Sequence, residues 1–433
     1  MQRSYAILHT DMAVIIVEKS ERLDGVAQVS GSKNAVLPLL AATLLTDEPC
    51  VLVGVPDLKD VEVMCQLLSH FGAEVEADRE AAQIRVHTKN ISANVAPADL
   101  VQAMRASVVA MGPLIARTGD ITVPLPGGCA IGDRPIDLHI KGFRSLGVDV
   151  VIDYEKESVT AKAGHLRGAE LYLDFASVGA TENIMMAAAL AEGTTIIENA
   201  AQEPEIVDLA NFLNKMGAKI RGAGTDTIRI EGVEKLRGAE HTVIPDRIEA
   251  GTFMLAAAIT GGSVLIDNML PNHVVPIIAK LRETGVYVRE EFGGLQVDAT
   301  RGFLQSTDIK TLPYPGFPTD IQPQFMAYLT TVEGNSTVIE TVFENRFMHI
   351  KELNKMGAGI EADGRCASLP GGATLKGASV RATDLRAGAA LILAGLAADG
   401  RTTISEIHHI DRGYEDLTGK LEKLGAKIWR SEE

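Results

Sequence analysis

Six times along the chain, apolar positions spaced for a helix give way to a glycine and then to the alternation of a strand. The phrases are LLSHFGAEV, FRSLGVDVV, FLNKMGAKI, KLRETGVYV, ELNKMGAGI and KLEKLGAKI, with glycines Gly72, Gly147, Gly217, Gly285, Gly357 and Gly425. Neighbouring glycines stand 75, 70, 68, 72 and 68 residues apart, so six units account for essentially the whole chain. Glycine suits each place because a helix commonly ends on a left-handed residue, a conformation glycine adopts at little cost. The alternation that follows predicts a strand.

A second phrase recurs as an apolar helix, a turn and a strand: IARTGDITV, LAEGTTIIE, ITGGSVLID, TVEGNSTVI and LAADGRTTI, with LLTDEPCVLV in the first unit. Each unit therefore reads as apolar helix, turn, strand, polar loop, second helix, glycine and further strand. The apolar helices, among them Ile184 to Ala191 and Ala387 to Leu396, are hydrophobic nearly all round. Such helices belong inside a domain with strands outside. The fold class is α/β, and six equal units in two domains most simply give three per domain.

Composition agrees. A chain of 433 residues suits two domains of roughly 200 residues, and 46% hydrophobic with 4% aromatic residues predicts aliphatic cores. The net charge of -16 argues against a general nucleic-acid or anionic-membrane binder, so an anionic ligand must meet a local basic cluster. Cys50, Cys65, Cys129 and Cys366 lie far apart without metal-ligand spacing, which suggests neither a zinc site nor a disulfide framework and fits a reducing cytoplasm. The longest apolar stretch, Ala387 to Ala398, falls short of the ~18 residues of a membrane span. Residues 1–11 lack a signal-peptide apolar region and are read as an N-terminal extension.

Charge collects where the buried helices begin: Lys33, Arg105, Glu182, Asp246, Arg247, Asp320, Asp384 and Arg386. The aspartates fit as ordinary N-caps. The cations do not, because a helix N-terminus is already electropositive unless an anion or carboxylate offsets it. The polar loop before the second helix repeats the habit with Asp60, Arg134, Glu205, Arg346 and Arg412. If equivalent ends of both domains face one cleft, these cations converge there.

The segment LPGGCAIGDRP, residues 125–135, places Cys129 among glycines, beside Arg134 and a helix opened by Pro135. A thiol titrates near ~8.5 and lower beside cations, so Cys129 is a candidate for proton transfer near neutral pH. Cys50, Cys65 and Cys366 sit among apolar neighbours and are expected to be inert buried thiols.

GSKNA at 31–35, MRAS at 104–107, LPGGCAIGDRPIDLH at 125–139, SVGAT at 177–181, FPTD at 317–320, ETVFENRFMH at 340–349, ATDLRA at 382–387 and HIDRGYE at 409–415 resemble the motifs of the UDP-N-acetylglucosamine 1-carboxyvinyltransferases. The resemblance runs from Ala13 to about Arg430. It implies two inside-out α/β domains of three βα repeats, the EPSP synthase-like fold, with the active site in the interdomain cleft. It assigns residues 12–30 and 244–433 to one domain and 31–243, with the Cys129 loop, to the other.

The implied reaction joins the 3-hydroxyl of UDP-N-acetylglucosamine to C2 of phosphoenolpyruvate while C3 is protonated, after which phosphate leaves; it is the entry step to peptidoglycan. Cys129 resembles the proton donor, and the thiol that fosfomycin alkylates in sensitive relatives. Asp320 resembles the base or orienting group for the sugar oxygen. Lys33, Arg134 and Arg412 resemble the phosphate-holding group, Arg346 and Arg386 the carboxylate-side group, and Asn34 a further contact to phosphoenolpyruvate. Arg105, Arg134, Pro135, Ile136, Asp137, Leu138, Ser177, Val178, Gly179, Asp320 and Val342 match positions that line the sugar-nucleotide site. Glu344 and Asp384 are expected to orient the arginines. Phe175 departs from the pattern, since some relatives carry a basic residue there beside the nucleotide.

No cofactor and no metal are implied beyond the two substrates. Two other readings remain open from the sequence: transfer to shikimate 3-phosphate, which the Cys129 loop argues against, and a non-catalytic sugar-nucleotide-binding paralogue.

Overall fold

A computed structural model describes residues 13–125, 136–291 and 293–432. These fall into two compact units: residues 13–28, 248–311 and 319–432 form a split unit, and residues 29–247 with 312–318 form an inserted unit. Nothing in the repeat pattern marked the 312–318 excursion. Its sequence, LPYPGFP, removes backbone donors at Pro313, Pro315 and Pro318, so it cannot serve as a ladder strand.

Six sheets are found among the described residues, three in each unit. Their plan repeats. Thr194–Glu198 pairs in parallel with Glu170–Tyr172, brought from the preceding repeat, and antiparallel with Thr227–Glu231, which continues the sheet to Lys219–Arg221. Glu240–Thr242 pairs in parallel with Cys50–Val53, so the third repeat of the inserted unit closes back onto its first. The one three-stranded sheet keeps a vestige of the missing strand as a parallel bridge between Val95 and Thr122, cut short by Pro97 and the helix Ala98–Ala103.

The split unit follows the same plan with a different connection. Its last sheet takes the chain's first strand: Ala13–Glu18 lies between Arg401–Ser405 and Lys427–Glu432, antiparallel to both. Ile15 faces Ile404 on one side and Arg430 on the other. Val17, Ile404 and Ile428 are buried, so one face of this sheet packs on the core.

Each unit is built around three apolar helices. In the inserted unit these are Lys33–Ala42, Met111–Thr118 and Val178–Ala188; in the split unit they are Arg247–Ile259, Gln322–Thr331 and Leu385–Ala397. Every residue from Ala180 to Ala188 and from Arg386 to Leu396 is buried. The sheets around them alternate buried and exposed positions, which is the inside-out arrangement expected of all-round apolar helices. Helices approach closely enough that a Cβ on Gly112 would stand 2.3 Å from the backbone oxygen of Asn183.

All six repeat glycines are left-handed, with φ between +85° and +107°. Gly72 shows the capping geometry: its amide donates to the Ser69 carbonyl at 3.0 Å and the next amide to Leu68 at 3.0 Å. Three expectations need correction. The apolar helix expected at Ile184–Ala191 begins earlier and ends before the Gly193 turn. Arg105 opens a 3-10 segment, Arg105–Ala110, rather than an α-helix, because Pro113 belongs in a first helical turn and the α-helix starts at Met111. Cys366 is exposed, not buried: along Cys366–Leu369 the period of two sends Ala367 and Leu369 inward and Cys366 outward. Cys65 is half-buried and Cys50 buried, and burial pushes both thiols up to about 11.

Candidate functional site

In the inserted unit, Lys33 is the first residue of its helix and Asn34 the second, behind the N-cap Ser32. The cation expected to need a partner has one. Lys33 Nζ lies 2.8 Å from Asp60, whose side chain is 3% exposed, while the backbone amide of Lys33 donates to Asp246 at 3.1 Å. Asp246 thus serves a neighbouring helix start as well as its own position in the chain.

Of the residues expected to line a sugar-nucleotide site, Ile136, Asp137, Leu138, Ser177, Val178 and Gly179 form two groups that the fold brings together, whereas Arg105 opens its own segment and Asp320 and Val342 belong to the split unit. Ile136, Asp137 and Leu138 sit at the start of the helix Asp137–Ser145. Ser177 caps Val178–Ala188, accepting from the Ala180 amide at 3.4 Å, and Val178 and Gly179 open that helix with first-turn amides that have no intrahelical acceptor. The two helix starts touch. A Cβ on Gly179 would lie 3.2 Å from the His139 ring, and the side-chain amide of Asn183 donates to His139 Nδ1 at 2.8 Å, which leaves the imidazole proton on Nε2. Phe175, in the loop before Ser177, is 46% exposed. Cys129, Arg134 and Pro135 lie outside the described residues.

The same unit holds a buried acidic group. Glu205 accepts from Arg247 Nε at 3.0 Å, and Arg247 lies over the Tyr314 ring. Glu182, four residues after Val178, is pushed well above the ordinary carboxyl range by burial and then by Glu205 and Glu203. Burial also raises Glu203. Here Glu182 meets acids of the same sign from the start of the helix Pro204–Lys215, so Glu205, expected in a loop, is a first-turn residue, with Arg247 beside it as countercharge.

In the split unit, Asp320 lies in a turn two residues before the helix Gln322–Thr331. Its two oxygens accept from two different guanidinium groups, Arg346 Nη2 at 2.8 Å and Arg386 Nη2 at 3.1 Å. The arginine side chains are 3% and 4% exposed and Asp320 26%. Lys33 with Asp60 and Asp320 with Arg346 are therefore related devices with the signs exchanged: a charge at or just before one helix start is met by the opposite charge from further along the same repeat, and Asp60, expected in a loop, delivers it from the first turn of the helix Lys59–His70.

The roles expected for two carboxylates change accordingly. Glu344 pairs with Arg365 at 2.9 Å on an exposed edge and not with the buried arginines. Asp384 acts on Arg386 through its backbone, as an N-cap accepting from the Arg386 and Ala387 amides at 2.9 and 3.1 Å. The carboxylate that orients both guanidinium groups is Asp320. Arg412 ends the short helix His408–Asp411, whose Asp411 is bonded to Arg430.

Several contributors escaped the sequence reading. His349 is fully buried behind the loop that carries Arg346; its Nδ1 donates to the Arg346 carbonyl at 3.1 Å, its Nε2 faces Met326 sulfur at 3.2 Å, and burial lowers it to about 4. Tyr414 lies under Arg386 and shares its hydroxyl with Thr252 and Gln324 at 2.9 and 3.1 Å. Glu340 collects four hydrogen bonds near Asp320 and Val342. It stood inside the ETVFENRFMH motif, which was the available signal. Among the described residues, Glu406, His408 and His409 bring three ligand atoms within 4.8 Å of one another and have the donor chemistry to hold a transition metal, at the start of the helix His408–Asp411.

Residues 17–421 match the family described as EPSP synthase (3-phosphoshikimate 1-carboxyvinyltransferase). UDP-N-acetylglucosamine 1-carboxyvinyltransferase 1 of Caldanaerobacter subterraneus subsp. tengcongensis is 59% identical over 96% of this chain and 99% of its own. The UDP-N-acetylglucosamine 1-carboxyvinyltransferase of Finegoldia magna is 56% identical over 97% and 99%. Among solved structures, the enolpyruvyl transferase NikO from Streptomyces tendae superposes with a TM-score of 0.88 at 26% identity, covering 97% of this chain and 99% of that one. EPSP synthase from Acinetobacter baumannii shares the fold, with a TM-score of 0.75 at 19% identity over 97% of this chain and all of the other.

Proposed function

Because the chain belongs to the UDP-N-acetylglucosamine 1-carboxyvinyltransferase family, we propose that it transfers the enolpyruvyl group of phosphoenolpyruvate to the 3-hydroxyl of UDP-N-acetylglucosamine in the cytoplasm, the first committed step of peptidoglycan synthesis. The sugar oxygen adds to C2 as a proton reaches C3. The tetrahedral adduct then loses phosphate and a proton from C3, restoring the double bond. In this reading Cys129 gives the proton to C3.

Asp320 meets the sugar hydroxyl, and the observation that carries the reading is the pair of buried arginines that hold it. A carboxylate fixed from both sides cannot swing away from an arriving hydroxyl, while Arg346 and Arg386 remain cationic for the carboxylate side of phosphoenolpyruvate. Lys33, Asn34, Arg134 and Arg412 serve the phosphate. Charge-assisted bonds contribute roughly 1.5–3 kcal/mol each, enough for several to hold a small trianion on a protein of net charge -16. Negative charge grows on the departing phosphate as the C–O bond breaks, so fixed cations stabilise that step more than the ground state. Ile136, Asp137, Leu138, Ser177, Val178 and Gly179, with Arg105, Pro135 and Val342, take the sugar nucleotide; first-turn amides and a capping serine suit its phosphates and base edge.

The test is release of inorganic phosphate from phosphoenolpyruvate by the purified protein, with and without UDP-N-acetylglucosamine. Release that requires the sugar nucleotide is expected. Release that requires shikimate 3-phosphate instead would move the chain to the sister reaction, and binding of the sugar nucleotide without release would make it a binding protein.

A further inference from the structure

Glu340 is 1% exposed, and both its oxygens accept hydrogen bonds. One oxygen accepts from the Thr311 hydroxyl at 2.8 Å, the Val342 amide at 2.8 Å and the Phe343 amide at 3.2 Å. The other accepts from the Thr319 hydroxyl at 3.0 Å. Thr311 itself reaches further, taking the Thr341 amide at 2.9 Å. A buried carboxyl group is costly unless its oxygens are hydrogen-bonded, and here the donors come from three separate stretches of chain. Thr311 and Thr319 are the residues at which the chain leaves and re-enters the split unit around residues 312–318. Thr319 immediately precedes Asp320, and Val342 and Phe343 lead into the loop that delivers Arg346.

We propose that Glu340 is a positioning residue for the transfer reaction: by holding Thr319 and the Val342–Phe343 amides on one carboxylate, it sets Asp320 and Val342 at the spacing the acceptor sugar requires. The proposal rests on the reading of Asp320 and Val342 as sugar-nucleotide contacts. Arg346 and Arg386 fix the head of Asp320 and Gln324 Nε2 donates to its carbonyl at 3.0 Å; the Glu340–Thr319 bond adds a tie from the residue before Asp320 to the Val342 loop. A displacement of a reacting group by an ångström is enough to cost a large factor in rate.

Three variants test this in the full chain. Thr319→Val keeps shape and removes one donor; it is expected to lower kcat/KM for UDP-N-acetylglucosamine about ten-fold with thermal stability close to the parent. Glu340→Ala removes the whole junction and is expected to lower it on the order of a hundred-fold. Glu340→Gln can still take the two amides and Thr311 on its oxygen while its NH2 donates to Thr319, so it is expected to restore activity to within about five-fold of the parent. In a double-mutant cycle, Thr319→Val adds nothing once Glu340→Ala is present.

Glu340→Ala that melts lower yet keeps parental kcat/KM, or full additivity in the cycle, would overturn the proposal. If Glu340→Ala does not fold, parental kcat/KM in Thr319→Val does the same. A parent protein that releases no phosphate with the sugar nucleotide would overturn the underlying reading of the site instead, and the parent's own assay separates the two failures.

Discussion

Replacing Asp320 with asparagine leaves the shape of the side chain and removes its charge, and the surroundings make the consequence calculable. The two guanidinium groups it serves are 3% and 4% exposed, at 2.8 and 3.1 Å from its two oxygens. In the variant one arginine still meets an amide oxygen, but the other faces an NH2 group, donor against donor. Loss of one partner from a buried ion pair costs roughly 3–5 kcal/mol, and the partial exposure of Asp320 lowers this to about 2–4 kcal/mol. For a unit of roughly 200 residues that is a fall in melting temperature on the order of 10 °C. Phosphoenolpyruvate should then do for the variant what Asp320 does for the parent, by bringing an anion to two cations that lack one. Thermal unfolding with and without saturating phosphoenolpyruvate reads both effects: the variant melts lower alone and gains more from the ligand than the parent does, while phosphate release in the presence of the sugar nucleotide is nearly abolished. A variant that melts with the parent, or whose gain from phosphoenolpyruvate is no larger, would refute the argument that Asp320 is the countercharge of these arginines.

Three further outcomes are expected. Cys129→Ser should lose almost all turnover, because a hydroxyl is a far weaker acid than a thiol, whereas Cys129→Asp should keep measurable turnover and resist fosfomycin; steady-state phosphate release with and without the antibiotic decides both. His349 is held neutral by burial, down to about 4 from an unfolded value of 6.5, so the unfolded chain takes up that proton first and stability is full above pH 6.5 and declines toward pH 4, by up to ~3 kcal/mol. Urea titrations across that range should show a slope that His349→Leu flattens, and an unchanged slope would remove His349 as its source. Gly112→Ala should destabilise the inserted unit by about 1–3 kcal/mol, measured by its urea midpoint, since the added Cβ would stand 2.3 Å from the Asn183 backbone oxygen.

What could be read in advance was whatever repeats or is local. A glycine after a helix end, met six times at nearly constant spacing, announces both a left-handed residue and an architecture, and the φ values at Gly72 through Gly425 follow. Opposite charges at helix starts and loops were visible as a pattern of positions, but not which acid would serve which cation. Asp320 is 26 and 66 residues from the arginines it holds, and only the packing of two helix starts selects it over Glu344, which is two residues from Arg346 and turns to Arg365 instead. Cys366 was misjudged because apolar neighbours in sequence say nothing about which side of a strand a residue occupies. Glu340 was hidden for the opposite reason: an acid in a motif looks like a reacting group, and its four donors become visible only when three chain segments are folded together.

The strand Ala13–Glu18 has a bearing on how the molecule is made. It lies between strands that the ribosome supplies about four hundred residues later, which at roughly 5–20 residues per second is about 20 to 80 seconds of synthesis. Throughout that interval residues 29–247 can complete three sheets of their own while the first strand waits without its neighbours. The order of emergence and the order of assembly are thus opposed at the amino end, and an apolar strand long exposed in a growing chain is a natural substrate for chaperones. The same pairing sets Ala13 opposite Glu432, so a permuted chain in which these two strands follow one another would have its last sheet synthesised without delay.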